Sequence, residues 1–221
     1  MCGRYTFSHE EQLAKRFDLK SVPKNVRPNY NVAPTQTMPV ITQDEKGREL
    51  EEMRWGIPRF IGPGKEKDVF NTRSDKAFGS WKKMVLTQRL IVPASGFYEW
   101  KRLKDSKQPY FIHPKNTELF SFAGIWNLWE NKETGEKIKV YSIITTEPNK
   151  EMSGIHNRMP VILHQDDESS WLSPSNDNDR SAIEALLRPY EDNGLEMYEV
   201  SSDVNVTRNN EQKLMYPMNS Q

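Results

Sequence analysis

Leu90-Ile91-Val92-Pro93-Ala94-Ser95-Gly96-Phe97-Tyr98-Glu99-Trp100 is the stretch on which the fold turns. Aliphatic and aromatic residues fill both ends, Leu90 to Val92 and Gly96 to Trp100, and Pro93-Ala94-Ser95 interrupts them, which predicts two short strands. Outward from there, Tyr110-Phe111-Ile112, Leu119 to Trp126 and Lys139 to Thr145 read as further strands, with Asn131-Lys132-Glu133-Thr134-Gly135 as a hairpin tip. Upstream, Met38 to Thr42 and Glu49 to Trp55 form a strand pair joined through Asp44-Glu45-Lys46-Gly47; downstream, Met159 to Leu163 and Met197 to Val200 are strands. Helices are expected from about His9 to Asp18 behind a Ser8 capping box, after Ser74 as a cap, briefly from Pro148 to Met152, and over Asp166 to Leu172 and Ser181 to Leu187. Pro23, Pro28 and Pro34 predict a loop around Asn29 to Pro34, extended before Pro34; two prolines and two glycines predict a surface loop over Ile57 to Gly64. The last dozen residues are expected to be loose. Many short strands without strand–helix alternation indicate an α+β fold, mostly antiparallel and curled into a barrel or sandwich.

At 221 residues the chain suits one large domain with a sizeable core. Lys plus Arg and Asp plus Glu both number 31, so no global field draws it to nucleic acid or membrane, and an anionic partner needs a local patch. A mean hydropathy of −0.83, no long apolar run and a polar start predict no membrane span and no signal peptide. One cysteine excludes an intrachain disulfide framework. A soluble, cytoplasmic monomer is the expectation. Four histidines and one cysteine form no metal-ligand spacing, and no phosphate loop or dinucleotide fingerprint is present, so neither metal nor cofactor is expected.

The single cysteine stands in Met1-Cys2-Gly3-Arg4-Tyr5-Thr6. Removal of Met1 gives Cys2 a free α-amine beside its thiol, with ordinary pKa values of about 7.7–8.0 and about 8.5. Such an aminothiol condenses with an aldehyde to an imine, and the thiol then closes a thiazolidine ring. A lone cysteine at an arbitrary position is more often a small buried hydrophobe. Three other places hold suitable partners. Glu99 lies between aromatics, where an apolar setting raises a carboxyl pKa toward that of a general acid; the alternative is a solvent-facing strand position. His156 sits with Arg158 at a junction in Gly154-Ile155-His156-Asn157-Arg158-Met159-Pro160, though lone histidines are more often structural. Asn71-Thr72-Arg73-Ser74-Asp75 offers an amide and a guanidinium to a polar, phosphate-bearing substrate, unless Arg73 is a surface residue paired with Asp75.

CGRYT, YNVAPTQ, WG, NTRSDK, GFYEW and HNRMPVIL, in that order from residue 2 to about 205, closely resemble the SRAP family, the SOS-response-associated peptidases understood as sensors of abasic sites in single-stranded DNA. The resemblance implies the SRAP fold, a β-barrel-like core with surrounding helices and a basic cleft. It implies Cys2 as the nucleophile that forms a thiazolidine with a ring-opened abasic sugar. Asn71 would position cysteine and sugar, Glu99 would act as acid and base, and His156 would assist imine formation. Arg4, Arg73 and Arg158 would hold flanking phosphates, and Asn31 would line the substrate-side loop. Autoprocessing peptidase activity and a lyase activity are implied as well, at damaged DNA in the nucleoid if the source is prokaryotic.

The chain departs from the family after the Trp-Gly pair. Members commonly carry an aromatic there, often tryptophan; here Ile57-Pro58-Arg59-Phe60 leaves Phe60 to supply a stacking face, worth roughly 1–3 kcal/mol per base. Two alternatives stay open on the residues alone. One is an N-terminal-cysteine amidohydrolase of the glutamine amidotransferase type; the other is a non-covalent single-strand binder.

Overall fold

The structure, a computed structural model, describes residues 2–62, 65–132 and 134–218; the side chain of Phe60 lies outside that description. Its strands run in chain order as Arg4–Phe7 (β1), Asn29–Val32 (β2), Thr37–Asp44 (β3), Gly47–Trp55 (β4), Ile57–Gly62 (β5), Lys65–Val69 (β6), Asn71–Arg73 (β7) and Arg89–Ala94 (β8). They continue as Gly96–Arg102 (β9), Lys107–Pro114 (β10), Phe120–Glu130 (β11), Lys137–Thr146 (β12), Met159–Pro160 (β13), Ile162–Leu163 (β14) and Leu195–Glu199 (β15). The helices are Leu13–Phe17 (α1), Ser74–Ala77 (α2), Lys82–Thr87 (α3), Gln165–Leu172 (α4) and Arg180–Leu186 (α5).

Strands β12, β4, β3, β8 and β11 pair in that order, and β11 returns to β12, closing a five-stranded barrel in which only β12 and β4 run parallel. Closure leaves these strands no free edge. A second, antiparallel sheet has the order β15-β10-β9-β1-β2. The chain passes from barrel to sheet at Ser95 alone, whose amide donates to the Thr6 carbonyl at 2.9 Å. The break expected over Pro93 to Ser95 is therefore one residue wide, with Pro93 and Ala94 still inside β8. Directly after it, Gly96 lies against Phe111; a Cβ there would come within 2.1 Å of the ring, so the crossing needs glycine. The expected α+β architecture is what the chain adopts.

Between barrel and sheet lies an aromatic core. Tyr5 meets Trp55 and Phe122 edge-on at 5.2 and 6.1 Å, Phe97 meets Phe122 at 5.8 Å, and Trp55 stacks on Tyr141. Such edge-on pairs suit the ring quadrupole and add to the area buried. The opposite face of the second sheet is covered by a smaller cluster of Tyr98, Phe111, Val200, Val204 and Leu214.

Several expectations need correction. Ser8 does not cap the first helix: its hydroxyl donates to Ser95 at 2.8 Å, and the segment starts as a 3-10 turn behind a left-handed His9 before α1 begins at Leu13. Ser74 is likewise the first residue of α2, with Arg73 at the cap position. The extended loop before Pro34 is a true strand, β2, because β1 offers it an edge. Ile57 to Gly62 is no loop; it pairs with Lys65–Val69 in a two-stranded hairpin, where Pro58 is tolerated because both strands are edges. The last dozen residues are not loose as far as Met218: Gln212–Met215 forms a 3-10 turn, Leu214 is buried, and Pro217 bridges Val200. Apolar burial of Leu214 anchors a segment whose composition alone is polar. Among the described residues no helix is long and apolar enough to cross a membrane.

Candidate active site

Strand β1 starts two residues after Cys2 and pairs with β9 in the register Arg4 to Tyr98, Tyr5 to Phe97 and Thr6 to Gly96. Side chains alternate along a strand, so Phe97 and Glu99 share one face with Tyr5, toward the barrel, while Tyr98 faces the smaller cluster. Glu99 is accordingly 5% exposed rather than solvent-facing, and its Oε1 accepts from the Trp100 amide at 3.2 Å.

Cys2 is fully buried. Burial pushes its thiol up to about 12, and the nearby Glu99 carboxylate adds to the shift, so the thiol is neutral at physiological pH. Its Sγ lies 3.8 Å from the Arg4 carbonyl, the direction of a weak S–H bond. Asn71, at the start of β7, donates from Nδ2 to the Cys2 carbonyl at 2.8 Å. Its Oδ1 is buried with no hydrogen-bond partner among the described residues. Cys2, Asn71 and Glu99 therefore form one cluster, assembled from three segments of the chain.

Beneath it the hydroxyls of Tyr5 and Tyr141 meet at 2.9 Å. Burial raises both phenols well above their ordinary range, and the Cys2 thiol acts on both. Tyr5 belongs to a quoted motif but was given no role from sequence; Tyr141 carries no sequence signal, because only the barrel brings β12 under Cys2.

A second cluster lies along β7. Asn71 and Arg73 are two residues apart and share a face, while Thr72 turns inward and pairs with Ser142 at 3.0 Å. Strand β7 runs parallel to β12 in the register Ile143 to Asn71 and Thr145 to Arg73. Arg158 reaches that same Thr145, bonding its carbonyl and its hydroxyl. Arg73 grips Asp75 with Nε and Nη2 at 2.9 and 2.6 Å, and Arg158 Nη1 lies 3.8 Å from the same carboxylate. The Arg73 hydrogen bond holds the Asp75 carboxyl below its ordinary value. Arg158 is pushed down, first by burial and then by the charge of Arg73. His156 belongs here: its Nδ1 lies 3.1 Å from the Arg158 amide nitrogen and 3.3 Å from the Arg158 carbonyl oxygen.

Arg4 and Asn31 form a third group with a structural task. Arg4 Nη1 donates to Asn31 Oδ1 at 2.7 Å and to the Val204 carbonyl at 2.8 Å, and its guanidinium lies 6.0 Å from the Trp100 ring centroid. Asn31 is 1% exposed, and its Nδ2 donates to the carbonyls of Val204, Val206 and Asn209. Trp100 Nε1 adds a 2.7 Å bond to Asn205. Asn31 thus fastens the 204–209 segment beside the site, with its polar atoms engaged inside the protein. This role was not legible from sequence, since the partners lie more than 170 residues away. Phe60 lies on β5 opposite Glu66; its side chain lies outside the described residues, so its expected stacking role has no geometry to meet.

The profile of the SOS response associated peptidase (SRAP) family matches residues 1–207. The chain belongs to that family. A Bacillus subtilis relative, abasic site processing protein YoqW, is 40% identical over 225 residues, covering 97% of this chain and 99% of the relative. Abasic site processing protein HMCES of Gallus gallus is 34% identical over 87% of this chain and 67% of its own length. The crystal structure of a Bacteroides thetaiotaomicron protein is 28% identical and superposes with a TM-score of 0.85 over 98% of this SRAP chain and 99% of the other. The resemblance carried by the six short motifs is a relationship over nearly the whole length.

Proposed function

We propose that this SRAP protein processes abasic sites in single-stranded DNA by forming a covalent thiazolidine through Cys2 once Met1 is removed, shielding the lesion from strand cleavage. The observation that carries the reading is the convergence of Asn71 and Glu99 on Cys2, one by a 2.8 Å hydrogen bond to its carbonyl and the other by its charge on the thiol. The relatives' names supply the lesion.

In its protonated form Glu99 gives a proton to the ring oxygen of the abasic deoxyribose as the bond from C1′ to that oxygen breaks, and takes back the proton of the anomeric hydroxyl, which leaves the aldehyde. The Cys2 amine adds to C1′, and loss of one water leaves an imine. The thiol, held neutral by burial, adds across that C=N bond: carbon and sulfur join, and the sulfhydryl proton passes to the imine nitrogen. Glu99 is the carboxylate placed to relay that proton. Asn71 fixes the Cys2 backbone and presents its open Oδ1 to the incoming sugar. His156 assists loss of water. Arg73 and Arg158 hold flanking phosphates; Arg4 and Asn31 brace the wall on the other side. Reversal through Glu99, a lyase step and self-removal of Met1 use the same groups.

The test mixes an oligonucleotide containing one abasic site with Met1-processed protein, with Cys2→Ala and with a form retaining Met1, followed by denaturing electrophoresis and intact mass. A heat-stable adduct of protein plus DNA minus one water, only with the processed wild type, is expected. No adduct with any form would discard the cross-linking reading in favour of glutamine hydrolysis or simple binding.

A further inference from the structure

The arginine pair at the rim already holds an anion, and that anion is a side chain of the protein. Asp75 presents two carboxylate oxygens to the Arg73 fork at 2.9 and 2.6 Å while lying 3.8 Å from Arg158. A phosphodiester offers the same pattern, two terminal oxygens sharing one negative charge, and guanidinium forks bind carboxylate and phosphate with the same bidentate geometry. The Arg73 charge acts against that of Arg158 across the Asp75 carboxylate they share, which favours an anion between them. Asp75 and Arg73 are both about half exposed, which leaves the carboxylate accessible to exchange.

We propose that Asp75 stands in for a strand phosphate at the Arg73–Arg158 pair and must be displaced by it, so that the protein discriminates against undamaged single strands. The inference rests on the functional reading above. An intact strand has only its backbone with which to compete against Asp75, whereas a strand bearing an aldehyde gains a covalent bond at Cys2 after the same displacement. Specificity is then obtained by weakening the contact common to all strands rather than by strengthening the one peculiar to the lesion.

The experiment measures anisotropy of a labelled, undamaged oligo-dT with wild type, Asp75→Asn, Asp75→Ser and Asp75→Glu over a range of salt concentrations. Circular dichroism confirms folding, and Asp75→Ser serves if Asp75→Asn does not fold. The neutral variants are expected to bind several-fold tighter, with log K against log salt steeper by about 0.7, one additional phosphate contact no longer offset by a displaced carboxylate. Asp75→Glu keeps the charge and the wild-type slope. Equal or weaker binding with an unchanged slope would overturn the inference and make Asp75 a brace that orients Arg73, as would absence of binding by every form. Wild-type cross-linking to the abasic oligonucleotide is followed in parallel. Adduct formation with unchanged slopes removes only the Asp75 inference; steeper slopes without an adduct remove only the cross-linking reading.

Discussion

The floor of the site and its rim use the same kinds of groups to opposite ends. At the floor, Cys2 and Glu99 are buried, the thiol is held neutral, and Asn71 and Glu99 bond backbone groups. At the rim, Arg73 and Asp75 form an ion pair open to solvent. Arg4 extends the contrast: this half-buried arginine is committed to Asn31 and Val204, whereas Arg73 bonds a neighbouring carboxylate that another anion can replace. Burial, more than residue type, decides whether a charged side chain builds the wall or meets the ligand. An exposed pair contributes little to stability and is screened by salt, while breaking a buried one leaves groups that cannot be solvated.

The sharpest break of this comparison is at the floor. Glu99→Gln preserves the acceptor for the Trp100 amide but removes the proton relay, so the rate of adduct formation, followed by quenched electrophoresis, should fall by about 10²–10⁴-fold with undamaged-strand affinity retained. A smaller fall would move the acid to another group.

The neutral thiol gives the next effect. From an ordinary 9.0 to about 12, the thiolate fraction at pH 8 drops by roughly a thousandfold, so iodoacetamide should modify the urea-unfolded chain far faster than the native one. Because the native thiol titrates later than the unfolded one, its contribution to stability is complete below pH 9.0 and is lost as the pH climbs toward 12. A Cys2→Ser variant should lack that alkaline loss in urea titrations.

Asn31→Ala should take one acceptor from the Arg4 guanidinium and the Asn31 amide from the Asn209 carbonyl, while the Val204 and Val206 carbonyls keep Arg4 and the Asn209 amide as donors, and should cost about 1–3 kcal/mol in urea unfolding. A cost near zero would turn Asn31 from a brace into a surface residue. The smallest effect is expected at the rim, where Arg73→Ala should leave the unfolding midpoint in place and weaken oligo-dT binding, and should make the salt slope shallower by about 0.7 when combined with Asp75→Asn, in which no displaced carboxylate offsets the phosphate contact.

Local pattern made much of this legible. The strands on either side of Ser95, the Asp44 to Gly47 turn and the later helices follow from apolar periodicity and turn residues. Glu99 was open between two faces on pattern alone, and the pairing of β1 with β9 turned it inward. The Arg73–Asp75 pair was visible as an alternative because the two residues are neighbours in sequence, whereas the approach of Arg158 to the same carboxylate needed β12 between them. The β5–β6 hairpin was hidden because proline and glycine signal loops without stating whether a partner edge is near.

By itself the sequence determined the α+β class, the unique cysteine next to Met1, and the order of motifs that marks the SRAP family. Those properties depend on residue type and on spacing along the chain. Only the tertiary structure decided that the barrel closes, that Tyr141 underlies Cys2, that Asn31 fastens a segment from the other end of the chain, and that Asp75 faces two arginines. Each depends on contacts between residues far apart in sequence, where burial and strand register set which groups meet and no local pattern records the outcome.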